Sequence, residues 1–388
     1  MRNGRIERID AQMPAQANER IFDAAGSWQF PGMIDGQIHF LEPGLVHEST
    51  SETESRACIA GGIPRIMEME MPNTGPPAIN RDAPEAKHER ARLSSRANFD
   101  FHPGATNDNP GDTRPLDPRS APGIEVFMGA STGNMLVDNP PAPDAIFREA
   151  PTPIITHCEV TSMIVANGER ACARWGDDIP AQQHPLIRSR KACLKPTELA
   201  ISLARKHGTR LHVLHISTAD ELALFSPGPI EGKRVTAETC APAEGRIDVL
   251  ATGPAPHLAG AKAHARTSPA AGPARVQCAL QVALERVFDG ETAQQRLLKA
   301  VTHAPATLFN VHQRGYLRER CHADLVAVDP NLPHALVQEE ILSMCACPPL
   351  EGTTFRSSIA ATFGNGQLAW NDGRLDDRVR GQRLRIDR

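Results

Sequence analysis

The sequence predicts an α/β protein, a (β/α)8 barrel of the TIM type with a small β-sandwich attached. Three observations predict it. Over residues 28–311, eight short apolar runs alternate with helix-like stretches, the pattern of a parallel sheet with helical crossovers. After about residue 312 that alternation gives way to short strands separated by turns. Polar, chemistry-bearing residues (His39, Asn73, His157, His215) fall at or near the ends of the apolar runs, where a barrel carries its site.

The elements follow in order. Strand-like runs are Met33–His39, Arg65–Met71, Asn98–Ala105, Ile124–Gly129, Ile154–Glu159, Leu211–Ser217, Arg234–Cys240 and Ile247–Thr252. Between them, Ser51–Ala60 reads as a helix with Ser51 and Glu54 spaced as a capping box. Arg81–Ala97 and Thr197–Lys206 are further helices, the latter with Leu199, Ile201, Leu203 and Ala204 as its apolar residues. Gly315–Asp329 and Thr362–Trp370 read as strands with turns. Together with Ile6–Ala25 they make a sandwich from both termini, so residues 1–27 and 312–388 form one unit and 28–311 the barrel.

The 388 residues carry a net charge of −4, which gives no electrostatic footprint for nucleic acid or an anionic membrane. No apolar run approaches the length of a membrane span, and the charged MRNGRIERID start has no signal-peptide core. Nine scattered cysteines without a CxxC pair read as reduced thiols in a cytoplasmic protein. Cys345 and Cys347, two apart, read as a stray pair, because no second Cys/His pair lies near. With 33 prolines and only 4% aromatic residues, the core must rest on aliphatic side chains and the chain must contain many breaks.

Several segments carry a resemblance. MPNTGPP (71–77), GATNDN (104–109), FMGASTGNMLVDN (127–139), ITHCE (155–159), LHISTADEL (214–222), ADLVAVD (323–329) and EGTTFRS (351–357) resemble dihydroorotase, a member of the amidohydrolase superfamily. The resemblance spans nearly the whole chain, and the FMGASTGNMLVD stretch is its most specific part. It implies a metallo-hydrolase barrel with a β-sandwich, a zinc centre, and interconversion of carbamoyl aspartate and dihydroorotate in pyrimidine synthesis.

Residue by residue, the resemblance implies a partial site. Asp35 and His39 match the first-strand motif, but Gln37 stands where the family has its first His and Leu41 where it has a substrate-binding Arg. Glu125 stands at the position of the bridging, carboxylated lysine. His157 and His215 match the two later histidine ligands. The terminal motif reads Ala251-Thr252-Gly253-Pro254-Ala255-Pro256-His257, with Gly253 at the position of the Asp that serves as general base. Asn73 and His257 match positions that hold the substrate carboxylate. The implied metal residues are therefore His39, Glu125, His157 and His215, and no catalytic residue is intact.

Two adjacent dications repel unless anionic ligands compensate. Gln37 offers a neutral oxygen, and Glu125 is shorter than a carboxylated lysine. The reading is one weak zinc, held by His157, His215 and Glu125, with His39 left alone. Loss of the base costs about 10²–10⁴ in rate, and Leu41 cannot replace a bidentate clamp. Each survivor also has a plain reading: His157 and His215 as strand histidines, Asn73 as a turn cap, His257 as a loop residue. Cys158 should point away from its neighbour His157, into the core.

The scaffold departs from the pattern too. Only Ala241–Arg246 separate the seventh and eighth strands. Returning along a seven-residue strand needs about 23 Å, and six extended residues reach only about 20 Å. Helix 7 should be absent and this wall shortened or distorted. The sandwich reads as truncated at its N-terminal end, with an exposed edge. Arg320 stands where the family's hairpin has Gly.

The functional expectation is a dihydroorotase-like cyclic amidohydrolase with weak or absent catalysis. Two alternatives stand beside it: a non-catalytic scaffold subunit for aspartate carbamoyltransferase, or a decayed, non-functional product. A homodimer remains open.

Overall fold

The computed structural model describes residues 1–14, 19–69, 82–108, 110–129, 135–176, 178–240, 245–254, 276–345 and 350–388. Strand β1 (Trp28–Pro31) precedes the barrel. The barrel strands are β2 (Ile34–Ile38), β3 (Arg65–Met69), β4 (Asn98–His102), β5 (Gly104–Ala105), β6 (Ile124–Phe127), β7 (Ile154–His157), β8 (Leu211–Val213), β9 (Val235–Thr239) and β10 (Val249–Leu250). All their pairings are parallel. β2, β3, β4, β6, β7 and β8 are buried at every residue, as expected where helices cover one face and the barrel lumen the other.

The barrel has two seams. β4 pairs with β3, and β5 pairs with β6; Pro103 separates them and has no N–H to give a ladder. The second seam lies between β10 and β2. No ladder joins them among the described residues. The Asp35 carboxyl bridges the gap, accepting from the Thr252 hydroxyl and from Thr252 N at 3.4 Å. Burial pushes the Asp35 carboxyl up from 3.8 to about 7, against the lowering effect of these bonds. The lumen below holds His102, with Nε2 3.2 Å from the Gly36 carbonyl, and His212, paired with Glu238 at 3.2 Å. Phe309 closes on Gly36, where a Cβ would lie 2.7 Å from the ring, so residue 36 must be glycine.

No helix lies between β9 and β10 among the described residues, as the short segment requires. The geometry is met by shortening the wall. Asp248 N already bonds Ala237 O at 2.9 Å, and the ladder holds only Val249 opposite Glu238 and Leu250 opposite Thr239. The chain therefore retreats by about three residues, roughly 10 Å, instead of a whole strand.

The helix Ser51–Ala60 is capped one residue earlier than the sequence suggests. Thr50 Oγ1 accepts from Thr53 N, and Thr53 Oγ1 accepts from Thr50 N. Glu54 is drawn away from a capping role. Its buried carboxylate accepts from Ser343 Oγ at 2.7 Å and Met344 N at 3.0 Å.

The sandwich sheet is antiparallel, in the order β1–β11 (Leu325–Asp329)–β14 (Ser358–Gly364)–β15 (Gln367–Asn371)–β16 (Arg374–Leu375). β12 (His334–Ala335) and β13 (Thr354–Phe355) form a separate ribbon. Asn365-Gly366 and Asp372-Gly373 have positive φ at both positions, as two-residue hairpins prefer. β1 lies past the sequence-based boundary at residue 27, because Trp28–Pro31 pair with β11. Arg320 adopts φ +71°. Buried Asp324 ties sandwich to barrel, accepting from Arg314, from Asn98 Nδ2 at 3.2 Å and from Asn365 N at 2.7 Å.

Candidate metal centre

Alternation along β6 sends Ile124 and Val126 into the helix-facing core and Glu125 into the lumen, fully buried. β7 ends on His157, whose ring stacks on Phe127 with centroids 4.4 Å apart. Past the end of β2, His39 faces this pair across the barrel mouth, its ring centroid 5.9 Å from that of His157. One ligand atom from each of His39, Glu125 and His157 lies within 4.8 Å of the others, a set that could hold a metal ion. His157 Nε2 makes no hydrogen bond among the described residues and sits 3.4 Å from Glu125 Oε1.

His215 sits beside His157. Its backbone has φ +37°, and its Nε2 lies 2.6 Å from His157 Nδ1. The structure thus groups His39 with Glu125 and His157, and seats His215 behind His157. Burial, then His215 and His39, hold the His157 pKa well below the usual imidazole value, so the ring is neutral. In the tautomer that carries the proton on His157 Nδ1 and donates it to His215, the Nε2 lone pair faces Glu125 and His39. This is the orientation a metal-ligating histidine takes from an outer partner.

Residues 37, 240 and 253 meet in space. Gly253 has φ +55°, and a Cβ there would lie 3.0 Å from Cys240 Sγ and 3.3 Å from Gln37 Oε1. The space that an aspartate at 253 would enter is thus taken by Gln37 and Cys240. Gln37 is buried, and its Oε1 has no hydrogen-bond partner among the described residues. Leu41, at φ +54°, is wholly buried and presents no polar group to the mouth. Cys158 is core, its thiol pushed up by burial to about 12. Asn73 and His257 lie outside the described residues, as does Cys347. Sequence reasoning missed the Phe127 stack and the Cys240 contact; β-strand alternation would have placed Phe127 beside Glu125, but nothing in the chain signals Cys240.

No protein-family model matches the chain. It is 29% identical over 378 residues to the dihydroorotase of Halobacterium salinarum, covering 89% of this chain and 87% of that one. It is also 28% identical over 430 residues to an allantoinase of Solibacter usitatus, covering 99% and 92%. The L-hydantoinase (dihydropyrimidinase) of Arthrobacter aurescens superposes with a TM-score of 0.88 at 23% identity, over 99% of this chain and 95% of that one. Over nearly its whole length the chain is similar to proteins named dihydroorotase and allantoinase. Its barrel with a separate β-sandwich is the fold of the hydantoinase structures. No described helix is long and apolar enough to cross a membrane.

Proposed function

We propose that the protein binds one zinc ion through His39, Glu125 and His157, and that it opens or closes dihydroorotate, or a related cyclic amide, only weakly or not at all. The observation that carries this reading is the pairing of a buried three-residue donor cluster with a missing base. His39, Glu125 and His157 converge within 4.8 Å, while Gly253 offers no side chain and its side-chain direction is filled.

Two neutral imidazoles and one carboxylate suit zinc, with a position left for water. A zinc bound there supplies Lewis-acid polarisation of an amide carbonyl and a lowered pKa for water. The chain's own residues do the rest. His215 orients His157 through Nδ1. Gln37 Oε1, buried and unpaired among the described residues, can accept an N–H from a ring amide but cannot take a proton at neutral pH. Leu41 brings no cation to a substrate carboxylate. Without a base at 253, the proton transfer to the leaving nitrogen has no positioned carrier, which costs about 10²–10⁴ in rate.

The test is interconversion of dihydroorotate and carbamoyl aspartate by monodisperse, zinc-supplied protein. The expected result is turnover at least about a hundredfold below that of an intact relative. Turnover equal to the relative's and abolished by His157→Ala would show that residue 253 is not needed and overturn the reading.

A further inference from the structure

Where no helix lies between β9 and β10 among the described residues, a cavity of about 390 Å³ opens on the barrel wall, bounded by β9 and β10, the 228–230 loop and the segment from 292 to 304. Its inner wall is Ile247, Leu250, Leu297, Ala300 and Ala304. Ala300 and Ala304 project only methyl groups, and Gly228 and Gly245 none, so among the described residues of this lining no long side chain fills the space. Along this wall Lys299–His303 winds as a π-helical turn, a distortion frequent at functional sites.

The charges on the rim are unequal. Arg296 and Lys299 are exposed at one end. Lys299 has only a loose partner, Glu231 at 3.8 Å, and Arg296 has no ion pair among the described residues. The acid lining the cavity, Asp248, is already neutralised by Lys233 at 2.7 Å and accepts from Ala237 N. The volume lies at the small end of the ligand-pocket range of about 300–1,000 Å³.

We infer that this cavity is a binding site for an amphipathic monoanion, a medium-chain carboxylate whose apolar body lies against Leu250 and Ala300 and whose carboxylate meets Arg296 and Lys299. An apolar chain restores the contacts that a crossover helix would have made with the wall. The guanidinium and ammonium give the carboxylate charge-assisted hydrogen bonds that a neutral ligand lacks. The site is separate from the metal cluster, but it touches Thr239 and Leu250, whose strands lead to Cys240 and Gly253.

The test uses full-length protein, with octanoate as probe and 1-octanol as the uncharged control, read by calorimetry and by thermal unfolding. Saturable octanoate binding with a raised Tm is expected. Arg296→Ala combined with Lys299→Ala should weaken octanoate about tenfold or more, the loss of roughly one charge-assisted bond, and leave octanol unchanged. Ala300→Phe, which fills the cavity, should abolish both while circular dichroism and elution volume stay those of the parent. Should Ala300→Phe fail to fold, Thr292→Trp gives a second way to fill the cavity, from a partly exposed lining position. No saturable octanoate binding by the folded parent, or binding unaltered by the charge and filling variants, would overturn the inference.

Discussion

Gly253→Asp places a carboxylate where the resemblance to dihydroorotase expects one, but should damage the protein. The backbone at 253 sits at φ +55°. A non-glycine residue there costs about 1 kcal/mol, toward the low end because aspartate tolerates this region. The new Cβ lies 3.0 Å from Cys240 Sγ and 3.3 Å from Gln37 Oε1, so one or both must move. Such overpacking costs about 1–3 kcal/mol. The carboxylate would also approach an oxygen that has no proton to offer. The sum is a loss of about 2–4 kcal/mol. Denaturant unfolding followed by fluorescence and circular dichroism measures it, with Gln37→Ala closing a double-mutant cycle. Removing the Gln37 carboxamide should return about 1 kcal/mol in the Gly253→Asp background. A Gly253→Asp protein within about 0.5 kcal/mol of the parent, or a cycle without coupling, would refute the reasoning that the two substitutions occupy one space.

Two further outcomes follow from the same geometry. Asp35 has its folded pKa raised to about 7 from 3.8. Its contribution to stability is present below pH ~4 and lost as pH rises toward 7, by about 4 kcal/mol if the whole shift is expressed. Across pH 4–7 the unfolding free energy of the parent should therefore fall relative to that of Asp35→Asn, and equal slopes would contradict the raised pKa. His215→Ala should weaken zinc binding about 10–100-fold by releasing the His157 ring, measured by competition with a chelating dye; complete loss of zinc would instead make His215 a direct ligand.

The barrel strands were legible because strands buried on both faces are continuous apolar runs. The missing helix was legible because chain length can be counted against strand length. The capping box was misplaced by one residue because Glu54, the right type at the right spacing, is held by Ser343 and Met344 from far along the chain. His39, Glu125 and His157 come together from three separate segments of the chain, and His215 meets His157 at a backbone φ of +37°; no spacing in the sequence encodes either arrangement. The contact among Gln37, Cys240 and Gly253 joins residues some two hundred positions apart. Gln37 and Gly253 could each be singled out in the sequence, but not that they share a space.

Zinc content is the most direct test of the central claim. Protein should be loaded with zinc, freed of excess by gel filtration and analysed by mass spectrometry beside His157→Ala and Glu125→Gln variants of matched folding. The account predicts about one zinc per chain in the parent, as a site of three protein ligands holds, and near none in either variant. Two zincs per chain, or a single zinc retained in both variants, would contradict it.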